Sequence, residues 1–153
     1  MRVVIAAVGR TRDSALAAAV ASYQARAARY WPLEVIEVRD EPARSARPAM
    51  VRDREGARLL DALAGVRFVV CERDGQRRTS EEFAPWLQDI RESGRDVAFV
   101  IGGAFGLAES VTAAAWRRMS LAPWTLPHEL ARLVLVEQLY RAGTILRGEP
   151  YHK

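Results

Sequence analysis

The chain has 153 residues, a length that suits one domain with a hydrophobic core of its own. Half of the residues are hydrophobic, which argues against intrinsic disorder, and no apolar stretch is long enough to span a bilayer. The formal net charge of +4 favours an acidic partner such as RNA. Arginine supplies nearly all of the positive charge, although genomic base composition explains that excess equally well.

The first residues predict a strand rather than a targeting segment. The apolar run 3–8 is too short for a secretory signal, and Gly9 and Arg10 follow where a small-residue cleavage site would lie. The single cysteine, Cys71, excludes an intramolecular disulfide and fits a reducing compartment. We therefore expect a cytoplasmic protein.

Strand-like and helix-like patterns alternate along the whole chain. The predicted strands are 2–8, 33–38, 66–71 and 96–101, followed by a short extended segment at 119–124. The predicted helices are 14–30, 49–63, 80–93, 108–118 and 127–146, with a loop at 39–48 and a turn at 73–78. Asp13 is the expected cap of the first helix, and Thr79 or Ser80 that of the third, without a full capping box. This alternation predicts one α/β domain over residues 1–153, with a mostly parallel sheet and helices on both faces.

A glycine-rich turn lies between the fourth predicted strand and the following helix. Gly102, Gly103 and Gly106 allow the backbone to approach a ligand closely. The pattern is neither a Walker loop nor the dinucleotide fingerprint, because the required lysine and the glycine spacing are absent. A tight turn without a ligand explains these glycines equally well.

The segment 120–129 is stiffened by Pro123 and Pro127 and leads directly into the last helix. A rigid loop beside the sheet could present backbone donors and acceptors to an adenine. The pattern alone favours an ordinary strand-to-helix connection, with Thr125 near the helix cap.

The last predicted helix is apolar on more than one face, which indicates a core on one side and either a subunit interface or further core on the other. Glu137 interrupts this apolar run and needs Arg132 or Arg141 as a partner, or a functional reason. In the tail that follows, Tyr151 could stack on a base and His152 could accept a proton. Composition alone favours a disordered tail.

Metal and nucleophile chemistry find little support in the sequence. Cys71, His128 and His152 do not make a zinc cluster, so we expect no metal. Cys71 closes a buried strand and suits the core better than a nucleophilic role.

Taken together, these residues closely resemble the RlmH family, the small SPOUT-class methyltransferases of 23S ribosomal RNA. The resemblance runs along the whole chain, from the opening strand through the glycine loop and the 120–128 segment. Its most specific parts are the Glu-Gln-Leu-Tyr-Arg-Ala run at 137–142 and the Pro-Tyr-His sequence at 150–152. Many members have Pro-Glu where this chain has Ala104 and Phe105, so no acid can act there.

The resemblance implies a C-terminal trefoil knot whose loops bind S-adenosylmethionine at the interface of a homodimer. The cofactor-binding residues that it implies are Cys71, Gly103, Ala122, Pro123, Trp124, Thr125, Leu126 and Pro127. Most of them would act through backbone groups.

The resemblance also implies the reaction, which is methylation of N3 of pseudouridine 1915 in 23S RNA within the assembled ribosome. His152 and Glu137 are the candidates for handling the N3 proton, while Tyr151 and Lys153 would hold the base or its phosphate. The dimer surface would hold the RNA, and the candidate contacts, each of which a solvated surface also explains, are Arg10, Arg12, Arg44, Arg47, Arg77 and Arg78.

Two other functions are compatible with the composition. A nucleotide-binding α/β enzyme of another class would need a phosphate loop or an acid after the second strand to hold ribose. A ribosome-binding factor without catalysis would bind RNA regardless of S-adenosylmethionine.

Overall fold

The computed structural model describes residues 1–42 and 47–153, in which five strands alternate with five helices. The strands are β1 (Val3–Val8), β2 (Leu33–Val38), β3 (Arg67–Arg77), β4 (Val97–Ile101) and β5 (Arg117–Ser120). The helices are α1 (Ser14–Ala27), α2 (Pro48–Ala62), α3 (Ser80–Glu92), α4 (Glu109–Ala114) and α5 (His128–Leu146).

The strands form one sheet in the order β2-β1-β4-β3-β5, and every neighbouring pair is parallel. Val3 of β1 lies opposite Leu33 on one side and Val97 on the other. All residues of β1 and β4 are buried, as expected for central parallel strands that are covered on both faces. The predicted α/β fold with a parallel sheet flanked by helices is therefore confirmed.

The two faces of the sheet carry separate hydrophobic cores. Alternate residues of β1, such as Val3 and Ile5, pack with Leu135 under helices α1, α3 and α5. The intervening residues, such as Val4, pack with Val111 under α2 and α4. Helix α5 thus lies in the larger core. No helix among residues 1–42 and 47–153 combines the length and the apolar character needed to span a membrane.

Helix starts agree with the sequence except in one detail. The Asp13 carboxylate accepts a hydrogen bond from the backbone N–H of Leu16 (2.8 Å) and caps α1 as predicted. At α3 a full capping box forms, contrary to the prediction, because Thr79 pairs reciprocally with Glu82. The sequence prediction considered the pair Ser80 and Phe83, which lies one residue after the pair that forms the box.

Two predicted elements are wrong where β3 and β5 meet. The segment 73–78, predicted as a turn, mostly continues β3, and the helix predicted at 108–118 ends at Ala114. Residues Arg117–Ser120 form β5, which pairs with β3 at two registers that meet at Met119. The alanine-rich local sequence favours helix, but pairing with a neighbouring strand overrides that preference.

At this junction the two backbones lie unusually close together. A Cβ added to Gly75 would lie only 2.4 Å from the backbone carbonyl carbon of Met119. No side chain fits in that space, so glycine is required at position 75 for the two segments to cross.

Candidate functional site

A cavity of about 580 Å³ opens between the middle of β3 and the carboxyl ends of β4 and β5. Its walls come from residues 71–73 of β3, from the turn after β4 and from the segment that joins β5 to α5. Ligands of parallel α/β sheets bind at the carboxyl ends of the strands, and this volume suits a small organic molecule.

The structure brings most of the predicted cofactor residues to this cavity. Pro123 is the exception, since it does not belong to the lining. The predicted residues that line the cavity are Cys71, Gly103, Ala122, Trp124, Thr125, Leu126 and Pro127. Sequence reasoning missed Leu107, Leu121 and His128, although the Pro-His pair at the start of α5 was a usable signal.

The glycine turn is folded back on itself. The backbone N–H of Gly106 donates to the carbonyl of Gly103 (3.0 Å), and Gly106 has a φ of 81°, which favours glycine. A Cβ on Gly102 would lie 2.8 Å from the carbonyl carbon of Gly106. The turn therefore offers backbone rather than side chains to the cavity.

Sequence analysis also missed Glu55, which lies beneath this turn. Its side chain is buried, with 4% of the residue exposed, and Oε1 accepts a hydrogen bond from the backbone N–H of Glu41 (2.9 Å). Oε2 has no hydrogen-bond partner among the described residues. Burial raises the pKa of the Glu55 carboxyl, which favours its neutral form.

Cys71 contributes an inert thiol to the cavity wall. Burial, and to a smaller extent the charge of Glu72, raises the pKa of Cys71 to about 12. A thiol that keeps its proton at neutral pH is a poor nucleophile, which agrees with the predicted packing role.

The segment between β5 and α5 is fixed by a hydrogen bond at its start and is exposed to solvent at Trp124. The hydroxyl of Ser120 donates to the carbonyl of Ala122 (2.7 Å), which fixes the chain as it leaves β5. Trp124 is 78% exposed despite its size. An exposed indole at the mouth of a cavity is typical of a surface that another molecule covers.

The chain end forms a second cluster around Glu137. Oε1 of Glu137 accepts hydrogen bonds from Nη2 of Arg141 (2.6 Å) and from the hydroxyl of Tyr151 (2.9 Å). Its Oε2 accepts from the side-chain amide of Gln138 (2.7 Å). Arg141 is thus the partner that Glu137 needs, and Arg132 instead pairs with Glu37.

His152 and Tyr151 are both held by this tail cluster, which consists of Glu81, Glu137, Arg141, Tyr151 and His152. Nε2 of His152 lies 3.0 Å from Oε1 of Glu81, and its Nδ1 lies 3.3 Å from Nη1 of Arg141. Burial and the hydrogen bond with Tyr23 raise the pKa of Tyr151, so its phenol keeps the proton. The tail is packed rather than disordered.

Within one protomer the tail cluster and the cavity are separate. Among the described residues, no member of the tail cluster belongs to the cavity lining. The half-buried Leu133 and Val134 of α5 leave an apolar surface that a second subunit could cover.

The arginines predicted to contact RNA are scattered over the surface. Arg12 pairs with Asp40 (2.6 Å), Arg78 stacks on Trp86, and Arg44 lies outside the described residues. The other three are exposed: Arg10, Arg47 and Arg77. In the part of the chain that the structure describes, no group of three metal-binding side chains is found.

Comparison with known proteins decides the family. A family model described as "Predicted SPOUT methyltransferase" matches residues 1–152. The chain belongs to the SPOUT methyltransferase family. It is 57% identical to ribosomal RNA large subunit methyltransferase H of Gemmatimonas aurantiaca and 48% identical to the protein of that name from Anaeromyxobacter sp. (strain K), over the whole of each chain. The Listeria monocytogenes protein of the same name is 42% identical, also over the full length.

Two solved structures of more distant proteins share the fold. A probable methyltransferase from Bordetella pertussis superimposes with a TM-score of 0.55 at 18% identity, covering 92% of this chain and 95% of that one. A probable methylase family protein from Haemophilus influenzae gives 0.53 at 14% identity, with coverage of 99% and 70%.

Proposed function

We propose that this chain methylates large-subunit ribosomal RNA with S-adenosylmethionine as the methyl donor. The observation that carries the proposal is the cavity between residues 71–73 of β3 and the segments after β4 and β5, in a chain of the SPOUT methyltransferase family. Relatives that are 42–57% identical over their full length are named as methyltransferases of this RNA. Membership of the family favours this function over a nucleotide-binding enzyme of another class or a factor without catalysis.

The residues of the cavity fit the proposed donor in size and chemistry. Leu107, Leu121 and Leu126 supply apolar walls, and the backbone around Gly102 and Gly103 can approach a planar base closely. The bound donor supplies a methyl group activated by a positively charged sulfur. The protein has to hold this group in line with the target atom, and such alignment accounts for much of the rate enhancement in enzymes of this kind.

We further propose that the C-terminal part of the chain is threaded through an earlier loop as a trefoil knot. The support is the close crossing of Gly75 and Met119, together with the segment that returns from the edge strand β5 to α5 in the larger core. Threaded chains are rare, so this arrangement rests on the family resemblance as much as on the crossing.

The proposed target atom is N3 of pseudouridine 1915 in 23S RNA of the assembled ribosome. This nitrogen carries a proton and is a poor nucleophile until the proton is removed. We assign proton removal to His152, with Glu137 holding Tyr151 in place through their 2.9 Å hydrogen bond and Lys153 free to contact phosphate.

The separation of the tail cluster from the cavity supports a homodimer as the active form. In a twofold dimer the tail of one protomer could reach the cavity of the other, and the half-buried side of α5 and the exposed Trp124 could be covered. We place this dimer in the cytoplasm, where its ribosomal substrate is found.

The test uses methyl-labelled S-adenosylmethionine with ribosomes, free large subunits and protein-free 23S RNA that lack the modification. We expect label in 23S RNA from ribosomes, at a single nucleotide that mass spectrometry identifies as the N3-methylated pseudouridine. A protein that binds the donor but transfers no label to any of the three substrates would disprove the proposal.

The proton assignment is tested separately. The variant His152→Ala should lose most turnover while binding the donor normally, because His152 does not line the cavity. Lys153→Ala removes the proposed phosphate contact and keeps the proton acceptor, so it should raise the KM for RNA with little change in kcat, which separates RNA binding from proton removal. Full turnover by His152→Ala would show that another group takes the proton.

A further inference from the structure

Two tryptophans and four arginines form a cluster at the β5 edge of the sheet. Trp86 on α3 and Trp116 just before β5 are half-buried, and their rings are parallel, with centroids 6.2 Å apart and an angle of 9° between the planes. β5 is an edge strand. We name this set the arginine–tryptophan cluster, and its members are Trp86, Trp116, Arg67, Arg78, Arg95 and Arg117.

Guanidinium groups lie against the tryptophan rings at both ends of the cluster. Cζ of Arg78 is 4.4 Å from the centroid of the Trp86 ring. Cζ of Arg67 and of Arg117 lie 4.5 Å and 4.9 Å from the centroid of Trp116. Stacking of this kind fixes the guanidinium plane. One nitrogen of each guanidinium donates within the protein, to Gln76, Ser93 and the Trp116 carbonyl respectively, and other N–H groups of each are left for phosphate oxygens.

The positive charges of the cluster are crowded and poorly compensated. None of its four arginines forms a salt bridge within residues 1–42 and 47–153. Burial and the neighbouring Arg95 lower the pKa of Arg67. Burial and Arg117 lower the pKa of Arg78, which Glu82 offsets only in part. Bound anions would relieve this repulsion.

The cluster also leads to the proposed active site. Arg78 lines a second cavity of about 240 Å³ together with Ser120 and Gln138. Leu121 lines both this cavity and the larger one. An RNA strand that runs from the larger cavity along β5 would therefore reach the cluster.

We infer that the arginine–tryptophan cluster binds backbone phosphates of the ribosomal RNA next to the methylated nucleotide. This inference rests on the proposed function and adds to it the surface that holds the substrate. RNA is the partner that the cluster fits, because paired guanidiniums with fixed planes match phosphate geometry and the charge is of one sign. Such contacts position the RNA without reading its sequence.

The experiment compares the double variant Arg78→Gln/Arg117→Gln with wild type. We expect the KM for the RNA substrate to rise about 10-fold, with unchanged kcat and unchanged affinity for S-adenosylmethionine. The plot of log Kd against log salt for protein-free 23S RNA, measured without the donor, should become shallower by about 1.5, for two lost phosphate contacts.

The matched control is Arg29→Gln/Arg147→Gln, which removes the same charge at the end of α5, where Arg147 stacks on Tyr30. It should leave the salt slope nearly unchanged. The inference is overturned if both double variants alter RNA binding equally, or if only kcat or donor affinity changes in the cluster variant. Normal binding of protein-free RNA with lost methylation of ribosomes would assign the surface to a ribosomal protein instead. RNA binding is measured without turnover. A wild-type protein that binds RNA but does not methylate it would therefore contradict the proposed function without deciding this inference.

Discussion

Glu55 lies directly beneath Gly103, so that a Cβ on the glycine would be 2.7 Å from Oε2 of the glutamate. The same Cβ would be 3.1 Å from Cγ1 of Val8. A buried carboxyl without a hydrogen-bond partner on that oxygen thus supports the turn that faces the cavity. This contact ties helix α2, on one face of the sheet, to the proposed cofactor site.

Gly103→Ala should weaken binding of S-adenosylmethionine and lower the free energy of unfolding by about 1–3 kcal/mol, because the added methyl group has to displace Glu55 or the turn. Calorimetric titration and urea unfolding measure the two effects. Removing the carboxyl in Gly103→Ala/Glu55→Ala should restore part of the loss, so that the two changes are less than additive. Strict additivity would show that the contact is not responsible.

Glu55→Gln should change how stability depends on pH. The pKa of Glu55 is raised in the folded protein, so its stabilising contribution is complete below the ordinary value of 4.5 and is lost as the pH rises through the folded pKa. The amide does not titrate, and the stability of the variant relative to wild type should therefore increase from pH 5 to pH 8 in urea unfolding.

The opposite sign is expected at Glu41, whose pKa is lowered by hydrogen bonds from Arg58 and Arg54. Its contribution is complete above the ordinary value of 4.5 and is lost as the pH falls through the folded pKa. Glu41→Gln should therefore lose stability relative to wild type as the pH rises toward 5 from acid, and change little from pH 5 to pH 8, which makes it an internal control. Parallel pH profiles for the two variants would contradict both assignments.

Cys71 should resist alkylation in the folded protein. With a pKa of about 12 against 9.0 for an ordinary thiol, its thiolate fraction near pH 8 falls about 1000-fold. The chain has one cysteine, so intact mass measures iodoacetamide labelling directly. Labelling should be fast in urea, slow in buffer, and slower still with S-adenosylmethionine in the cavity. Rapid labelling in buffer would mean that the half-buried thiol in the cavity wall does not have the raised pKa.

Mixed dimers test whether the tail of one protomer serves the cavity of the other. Gly103→Ala and His152→Ala should each be nearly inactive. After co-refolding, about half of the dimers are mixed, and each mixed dimer has one site with an intact cavity and an intact tail. The mixture should therefore regain up to about one quarter of wild-type activity. Mixing the two folded proteins without refolding is the control for slow exchange. A refolded mixture that stays inactive would place tail and cavity in the same protomer.

The fold was largely predictable because its strands and helix starts carry local signals. The range 33–38 and the cap at Asp13 were predicted correctly, since both depend on neighbouring residues. β5 was predicted only in part, as the extended segment 119–124, because the alanine-rich segment before it favours helix and its strand conformation depends on pairing with β3. The second half of β3 was missed because Asp74 and Gly75 are typical of a turn, whereas pairing with β5 keeps this segment extended.

The proposed site shows a similar division. The turn after β4 and the segment after β5 were located by resemblance, and the structure adds that Pro123 is exposed and does not line the cavity. Glu55 could not be found from sequence, because a charged residue in an amphipathic helix is expected to face solvent. The stacking of arginines on Trp86 and Trp116 joins residues from four parts of the chain, and no local pattern predicts it.

The position of α5 has a consequence for biosynthesis. This helix follows all five strands in the chain, yet its buried residues fill the larger core, and the segment before it closes the cavity. During translation the earlier elements are synthesised first, and until α5 follows, helices α1 and α3 cover only part of that face of the sheet. The cavity therefore forms only after the segment 121–131 has been synthesised and has joined the earlier strands, so the first four strands with their helices cannot bind a ligand there by themselves.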